Sequence, residues 1–167
     1  MTTMSTLSWR VGKPGRYWIL RHGKSIPNER GIIENGTRPE FQLAPDGVHQ
    51  AQLAAQLFQK ELEAKNIPLA DVRICYSPFS RTIHTANLVA SFLNLPFDGP
   101  QCKVMEDLRE RYFGPSYELL SHDKYEEIWD IDGKDPLVVG PGGGESVKDV
   151  AGRLASAMAT IESEFEG

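Results

Sequence analysis

Two short runs of β-branched and aromatic residues, each closed by a turn and followed by a helix-spaced apolar pattern, leave this chain few folds to choose from. Arg16-Tyr17-Trp18-Ile19-Leu20-Arg21 follows Pro14-Gly15 and stops at His22-Gly23, so it reads as a buried strand ending in a glycine-containing turn. Val72-Arg73-Ile74-Cys75-Tyr76 is a second such run, closed by Ser77-Pro78. Between them Val48, Ala51, Ala55, Leu57, Phe58 and Leu62 recur at helical spacing behind Pro45 and Asp46, which predicts a helix from Pro45 to about Lys65. Ile83, Ala86, Leu88, Val89 and Phe92 mark another behind the second strand. Strand, helix, strand, helix predicts an α/β fold, a mostly parallel sheet flanked by helices. The crossover is expected to be right-handed, as in about 98% of such units.

The other elements are weaker. Residues 24–44 carry Pro27, Asn28, Gly31, Asn35, Gly36 and Pro39 without a sustained period and read as a long loop. Residues 103–108 suit a third strand, and 115–140 is poorly periodic with a short helix around Tyr125–Trp129. Val147, Val150, Ala151, Leu154, Met158, Ile161 and Phe165 then trace a last amphipathic helix, opened by the capping box Ser146-Val-Lys-Asp149. Residues 1–15 are expected to be a disordered or ragged N-terminus and 16–167 a single domain. Eighteen Lys and Arg against 23 Asp and Glu give a net charge of −5, which argues against a nucleic-acid partner. No apolar stretch approaches the ~18 residues of a membrane span. Cys75 and Cys102 have neither metal-site nor disulfide-framework spacing, so two reduced thiols in a cytoplasmic protein are expected.

Three polar clusters fall where such a fold places a ligand, at the carboxyl ends of its strands. In Arg21-His22-Gly23-Lys24-Ser25 a guanidinium beside an imidazole can grip a phosphate oxygen while a ring nitrogen faces phosphorus; alone, the tripeptide also fits a charged loop. In Tyr76–Ala86, Arg81 lies in the first turn of a helix, where an anion is favoured; alone, it also fits a solvated surface arginine. In Leu108-Arg109-Glu110-Arg111-Tyr112-Phe113-Gly114 a carboxyl between two arginines fits a general acid among phosphate ligands and equally a salt-bridged surface.

In their order along the chain these segments resemble the histidine phosphatase superfamily, whose branches include the phosphoglycerate mutases and fructose-2,6-bisphosphatases. Arg21-His22-Gly23 matches the family signature, and Asn28, six residues past the histidine, matches its loop asparagine. Leu43-Ala-Pro-Asp-Gly47 is similar to its helix start, Ser77-Pro-Phe-Ser-Arg81 to the segment with its second phosphate arginine, and Leu108–Gly114 to the segment with its proton donor. Gly143-Gly-Glu145-Ser146, with Asp149 and Arg153, matches its Gly-Glu-Ser helix. The resemblance implies a phosphoglycerate mutase-like three-layer sandwich. It makes His22 the nucleophile, Arg21 and Arg81 the holders of the phosphoryl oxygens, and Glu110 the proton donor. Ser25, Asn28 and Arg111 become substrate-binding positions for a small phosphorylated metabolite. Neither metal nor cofactor is expected, since side chains supply the cations.

The family's second histidine lies in a Ser-His-Gly-like motif on a strand after the Gly-Glu-Ser helix, whereas this chain ends at Gly167. The resemblance therefore implies a domain incomplete at its C-terminus, lacking that strand, with impaired activity. It also implies an exposed apolar face on the last helix and a free sheet edge through which copies could pair as a homo-oligomer. His49 and His84 fall on helices, and His122 lies on the wrong side of the Gly-Glu-Ser helix to substitute. Phe113 stands where the family has tyrosine, and no downstream arginine pair resembles that of the mutases, so hydrolysis is preferred to mutase-type phosphoryl transfer. The competing readings are non-catalytic phospho-ligand binding and a partner-dependent protein.

Overall fold

The computed structural model describes residues 5–7 (backbone only), 15–34, 36 and 38–165. Strand β1, Ser5–Leu7, pairs antiparallel with β2, Tyr17–Ile19. The rest of the N-terminal segment expected to be ragged lies outside the described residues, apart from Gly15. A short helix, α1 (Ile26–Arg30), follows β2, then α2 (Pro45–Ala64), β3 (Ile74–Tyr76), α3 (Ser80–Phe92) and β4 (Cys102–Val104). Beyond them lie α4, Tyr125–Lys134, and α5, Val147–Glu164.

The expected helices form and β3 runs parallel to β4 through α3, whereas β2 and β3, the strands expected to flank the α2 crossover, lie in different ladders. The sheet itself is divided: β1–β2 and β3–β4 are separate two-stranded ladders, so one pair is parallel and the other antiparallel. Packing rather than hydrogen bonding unites them. Ala55 and Leu62 from α2 meet Val89 and Ala90 from α3, and Leu20, Ile74 and Cys102 pack against this cluster. Small side chains at the α2–α3 contact let the two helices approach closely. Leu20, the residue before Arg21, thereby anchors the end of β2 in the core. Cys75 and Cys102 are free thiols.

A second, smaller core organises the stretch in which periodicity is weak. Ile33, Tyr117 and Ile128 are buried together against Phe113 and Tyr125. Ile33 also exchanges backbone hydrogen bonds with Leu119 and Leu120, at 2.8 Å each. The long 24–44 loop is thus tied down in several places: Ser25 and Asn28 form a capping box that nucleates α1 around Pro27, Ser25 bridges Leu43 and Ile32 bridges Ser121.

Helix α5 begins at the expected capping box, Ser146 Oγ accepting from the Asp149 N–H and Asp149 accepting from the Ser146 N–H. Of its residues only Ala157 is buried, while Val147 and Leu154 are exposed. With so little packing to hold it, the cap should matter. Ser146→Ala is expected to lower stability by about 1 kcal/mol, read as a shift in the midpoint of chemical denaturation without a change in slope.

Candidate active site

The loop carrying His22 is clamped between two helices. The Gly23 N–H donates to Thr85 Oγ1 of α3 at 3.3 Å and the Lys24 N–H to Gln50 Oε1 of α2 at 2.9 Å. The Lys24 carbonyl accepts from the Ala44 N–H at 2.9 Å, immediately before α2. Strand β2 and Leu20 thus deliver His22 to a cleft of about 240 Å³, whose lining includes Arg21, His22, Arg81 and Glu110. These are the four residues expected to do the chemistry.

His22 sits with Nδ1 at 2.7 Å from the Gly23 carbonyl. A carbonyl only accepts, so the proton belongs on Nδ1 and the lone pair on Nε2. Arg81 supports that tautomer, donating from Nε to Nε2 at 3.2 Å. Burial, then the charges of Arg81 and Arg21, push the imidazole below its ordinary value of 6.5, with the Gly23 carbonyl and Glu110 opposing. An NMR titration should therefore place the His22 midpoint below 6.5. On acidification the unfolded chain takes up this proton first, so the stability contributed by neutral His22 is lost as pH falls from 6.5 through its lowered native value. A midpoint at or above 6.5 would refute this placement.

Arg81, second residue of α3, is 4% exposed yet engages several groups. Its NH1 donates to Glu34 Oε2 at 2.7 Å and its NH2 to Glu110 Oε2 at 2.6 Å, while its guanidinium carbon lies 4.7 Å from the Phe79 ring centroid. The two carboxylates differ in access: the Glu34 side chain is 2% exposed, that of Glu110 45%. Burial pushes the Glu34 carboxyl up, against the pull of the Gly36 N–H and Arg81. Tyr125 lies near enough to feel Glu110, Arg81 and Arg21; burial above all pushes its phenol up to about 12.

Other expected site residues are held by the scaffold. Ser25 is fully buried and, with Asn28, is occupied in the α1 capping box. Arg111 donates from Nε to the Glu145 carbonyl at 2.8 Å and from NH1 to Asp132 at 2.5 Å. Glu145 is itself clasped by Arg109, Arg153 and the Tyr112 N–H; these hold its carboxyl low against the opposing effect of burial. The Gly-Glu-Ser segment thus fastens 109–112 to the start of α5 and aims Glu110 at the cleft. Ser25, Asn28 and Arg111 are not among the residues lining the cleft; Ser25 and Asn28 Oδ1 are engaged in the capping box and Arg111 Nε and NH1 in the Glu145 carbonyl and Asp132. Among the remaining histidines, His49 is exposed on α2, His84 lies in α3, and His122 Nε2 is 2.9 Å from the Ile32 carbonyl. Glu34 was not foreseen, since a lone glutamate in an aperiodic loop has no spacing signal.

A family model described as histidine phosphatase superfamily (branch 1) matches residues 17–167. Among solved structures the chain is similar to the alpha-ribazole phosphatase of Shigella flexneri, with 26% identity and a TM-score of 0.61 over 85% of this chain and 64% of that one. It is similar to a mycobacterial glucosyl-3-phosphoglycerate phosphatase at 25% identity, TM-score 0.62, over 87% and 64%. A third likeness is to an open reading frame product of Mycobacterium tuberculosis, at 30% identity, TM-score 0.59, over 86% and 65%. The chain thus spans less than two thirds of the length of each of these proteins. No match was found among curated proteins.

Proposed function

The chain belongs to the histidine phosphatase superfamily (branch 1), and from that premise we propose that it hydrolyses phosphomonoesters of small metabolites through a phosphohistidine formed on His22. One observation carries the reading: the lone-pair nitrogen of His22 faces Arg81 Nε at 3.2 Å while its other nitrogen is tied to a carbonyl. A phosphoryl group seated against Arg81 would lie beside that nitrogen. Nε2 then forms the bond to phosphorus as the phosphorus–oxygen bond to the alcohol breaks, and Glu110 gives its proton to the leaving oxygen. Water attacks the phosphohistidine, Glu110 taking up the proton, and inorganic phosphate leaves. Arg21 and Arg81 supply the positive charge that the transferring oxygens need. The phosphatase names of two of the structural relatives support hydrolysis over mutase-type transfer.

The test is steady-state release of p-nitrophenol from p-nitrophenyl phosphate by the folded chain. Turnover that persists in chelator is expected, because the cations in this scheme are side chains. A folded chain that binds inorganic phosphate but releases no product would discard hydrolysis in favour of phosphate binding alone.

A further inference from the structure

Glu34 is the acidic group that the scheme above does not use, and it is built into the site. Ile33, 1% exposed in the smaller core, fixes the backbone on one side of it. On the other, the Gly36 N–H donates to Glu34 Oε1 at 2.7 Å. Oε2 is left for Arg81 NH1, at 2.7 Å. Both carboxylate oxygens are therefore occupied, and with 2% exposure the side chain has no path to water that would replace Arg81. Glu110 holds the opposite edge of the same guanidinium from an open position, 45% exposed. An incoming phosphate can take the place of Glu110 on NH2 and cannot take the place of Glu34.

That asymmetry fixes the charge the site can offer. With Glu110 displaced and carrying the proton it gives to the leaving group, Arg21 and Arg81 stand against Glu34, leaving one net positive charge for a phosphate that brings up to two negative ones. The neighbouring arginines do not make up the difference: Arg111 is committed to Asp132 and the Glu145 carbonyl, and Arg109 to Glu145. Among the described residues no further cation lines the cleft. A second anionic group on the substrate would find no cation left to pair with, at an energetic cost that a partly desolvated cleft enlarges.

We infer that Glu34 is a specificity-determining counter-ion: by keeping one edge of Arg81 it restricts the site to a single phosphate group on an uncharged alcohol. The inference rests on the phosphate site proposed above and narrows its substrate class. Glu34 need not touch the reacting atoms; it positions Arg81 and subtracts a charge.

Glycerol 3-phosphate and 3-phosphoglycerate differ by an alcohol in place of a carboxylate and so isolate the effect. Calorimetric titration of the wild-type chain is expected to show glycerol 3-phosphate binding about tenfold tighter. Glu34→Gln should narrow that ratio to within about threefold and tighten inorganic phosphate, even though the amide must turn a donor toward Gly36 or Arg81 and so lowers stability. A structural ion pair alone would lower stability and phosphate affinity together. Glu34→Asp, which keeps the charge, should keep the preference. An unchanged ratio in folded Glu34→Gln, or a wild-type preference for 3-phosphoglycerate, overturns the inference while leaving the phosphate site intact. If none of the three ligands binds any variant, the phosphate site itself is wrong and the inference falls with it. Should Glu34→Gln not fold, the wild-type ratio decides alone.

Discussion

Alanine in place of His22 is expected to lower turnover of p-nitrophenyl phosphate by about a thousandfold or more, because in the proposed scheme it removes the atom that forms the covalent bond rather than one that orients it. The residual rate would come from Arg21 and Arg81, which still bind and neutralise the phosphate. Truncation should leave the fold intact. The His22 ring makes two polar contacts, to the Gly23 carbonyl and to Arg81 Nε, and Arg81 keeps Glu34, Glu110 and the Phe79 ring when the imidazole is gone. Lost activity with an unchanged denaturation midpoint therefore assigns the loss to chemistry. Quenching wild type in alkali during turnover should trap phosphorus on the protein in an acid-labile bond, and the variant should trap none. Equal rates for the two proteins would end the phosphohistidine mechanism, and labelling of the variant would move the nucleophile elsewhere.

The strongest sequence signals were local, and they survive as structure. The 3.6-residue spacing from Val48 to Leu62 becomes α2, the apolar run at Ile74 becomes β3, and the Ser146/Asp149 box opens α5. His22, Arg21, Arg81 and Glu110 could be named because their segments resemble the family's motifs in order; the local pattern by itself put His22 after a strand and Arg81 in the first turn of a helix and left their roles open. Ser25, Asn28 and Arg111 lie in the same segments, yet their side chains are used by α1 and by Asp132. Spacing says where a side chain starts and not which neighbour claims it. Glu34 depends on contacts distant in sequence: it reaches Arg81, 47 residues away, because Ile33 is buried among Tyr117 and Ile128. The division of the sheet was equally hidden, since pairing is decided between strands and periodicity describes one strand at a time.

Gly23→Ala is expected to cost about 3 kcal/mol of stability and about a hundredfold in kcat/KM. The reason is steric, since a Cβ on Gly23 would lie 2.2 Å from the Gly47 carbonyl oxygen and 3.0 Å from the Gly47 Cα. Both are backbone atoms in the first turn of α2, so no side chain can turn away to make room. The reciprocal contact is as tight, a Cβ on Gly47 falling 2.0 Å from the Lys24 carbonyl oxygen. Relief requires the His22 loop to withdraw from α2. That movement stretches the hydrogen bonds from Gly23 to Thr85 and from Lys24 to Gln50, and it carries His22 Nε2 away from Arg81. A displacement of about 1 Å at a reacting atom suffices for a hundredfold loss. Gly47→Ala should reproduce both effects, and the double variant should cost less than the sum, because one withdrawal relieves both clashes. Gly133→Ala provides the contrast: nothing lies within 4 Å of its added Cβ, inside α4. There the better helix propensity of alanine should stabilise the chain by about 0.5–1 kcal/mol without touching activity. Urea midpoints and kcat/KM measured on all four variants decide the matter. Strict additivity of Gly23→Ala and Gly47→Ala would mean that loop and helix do not share the contact on which the placement of His22 depends.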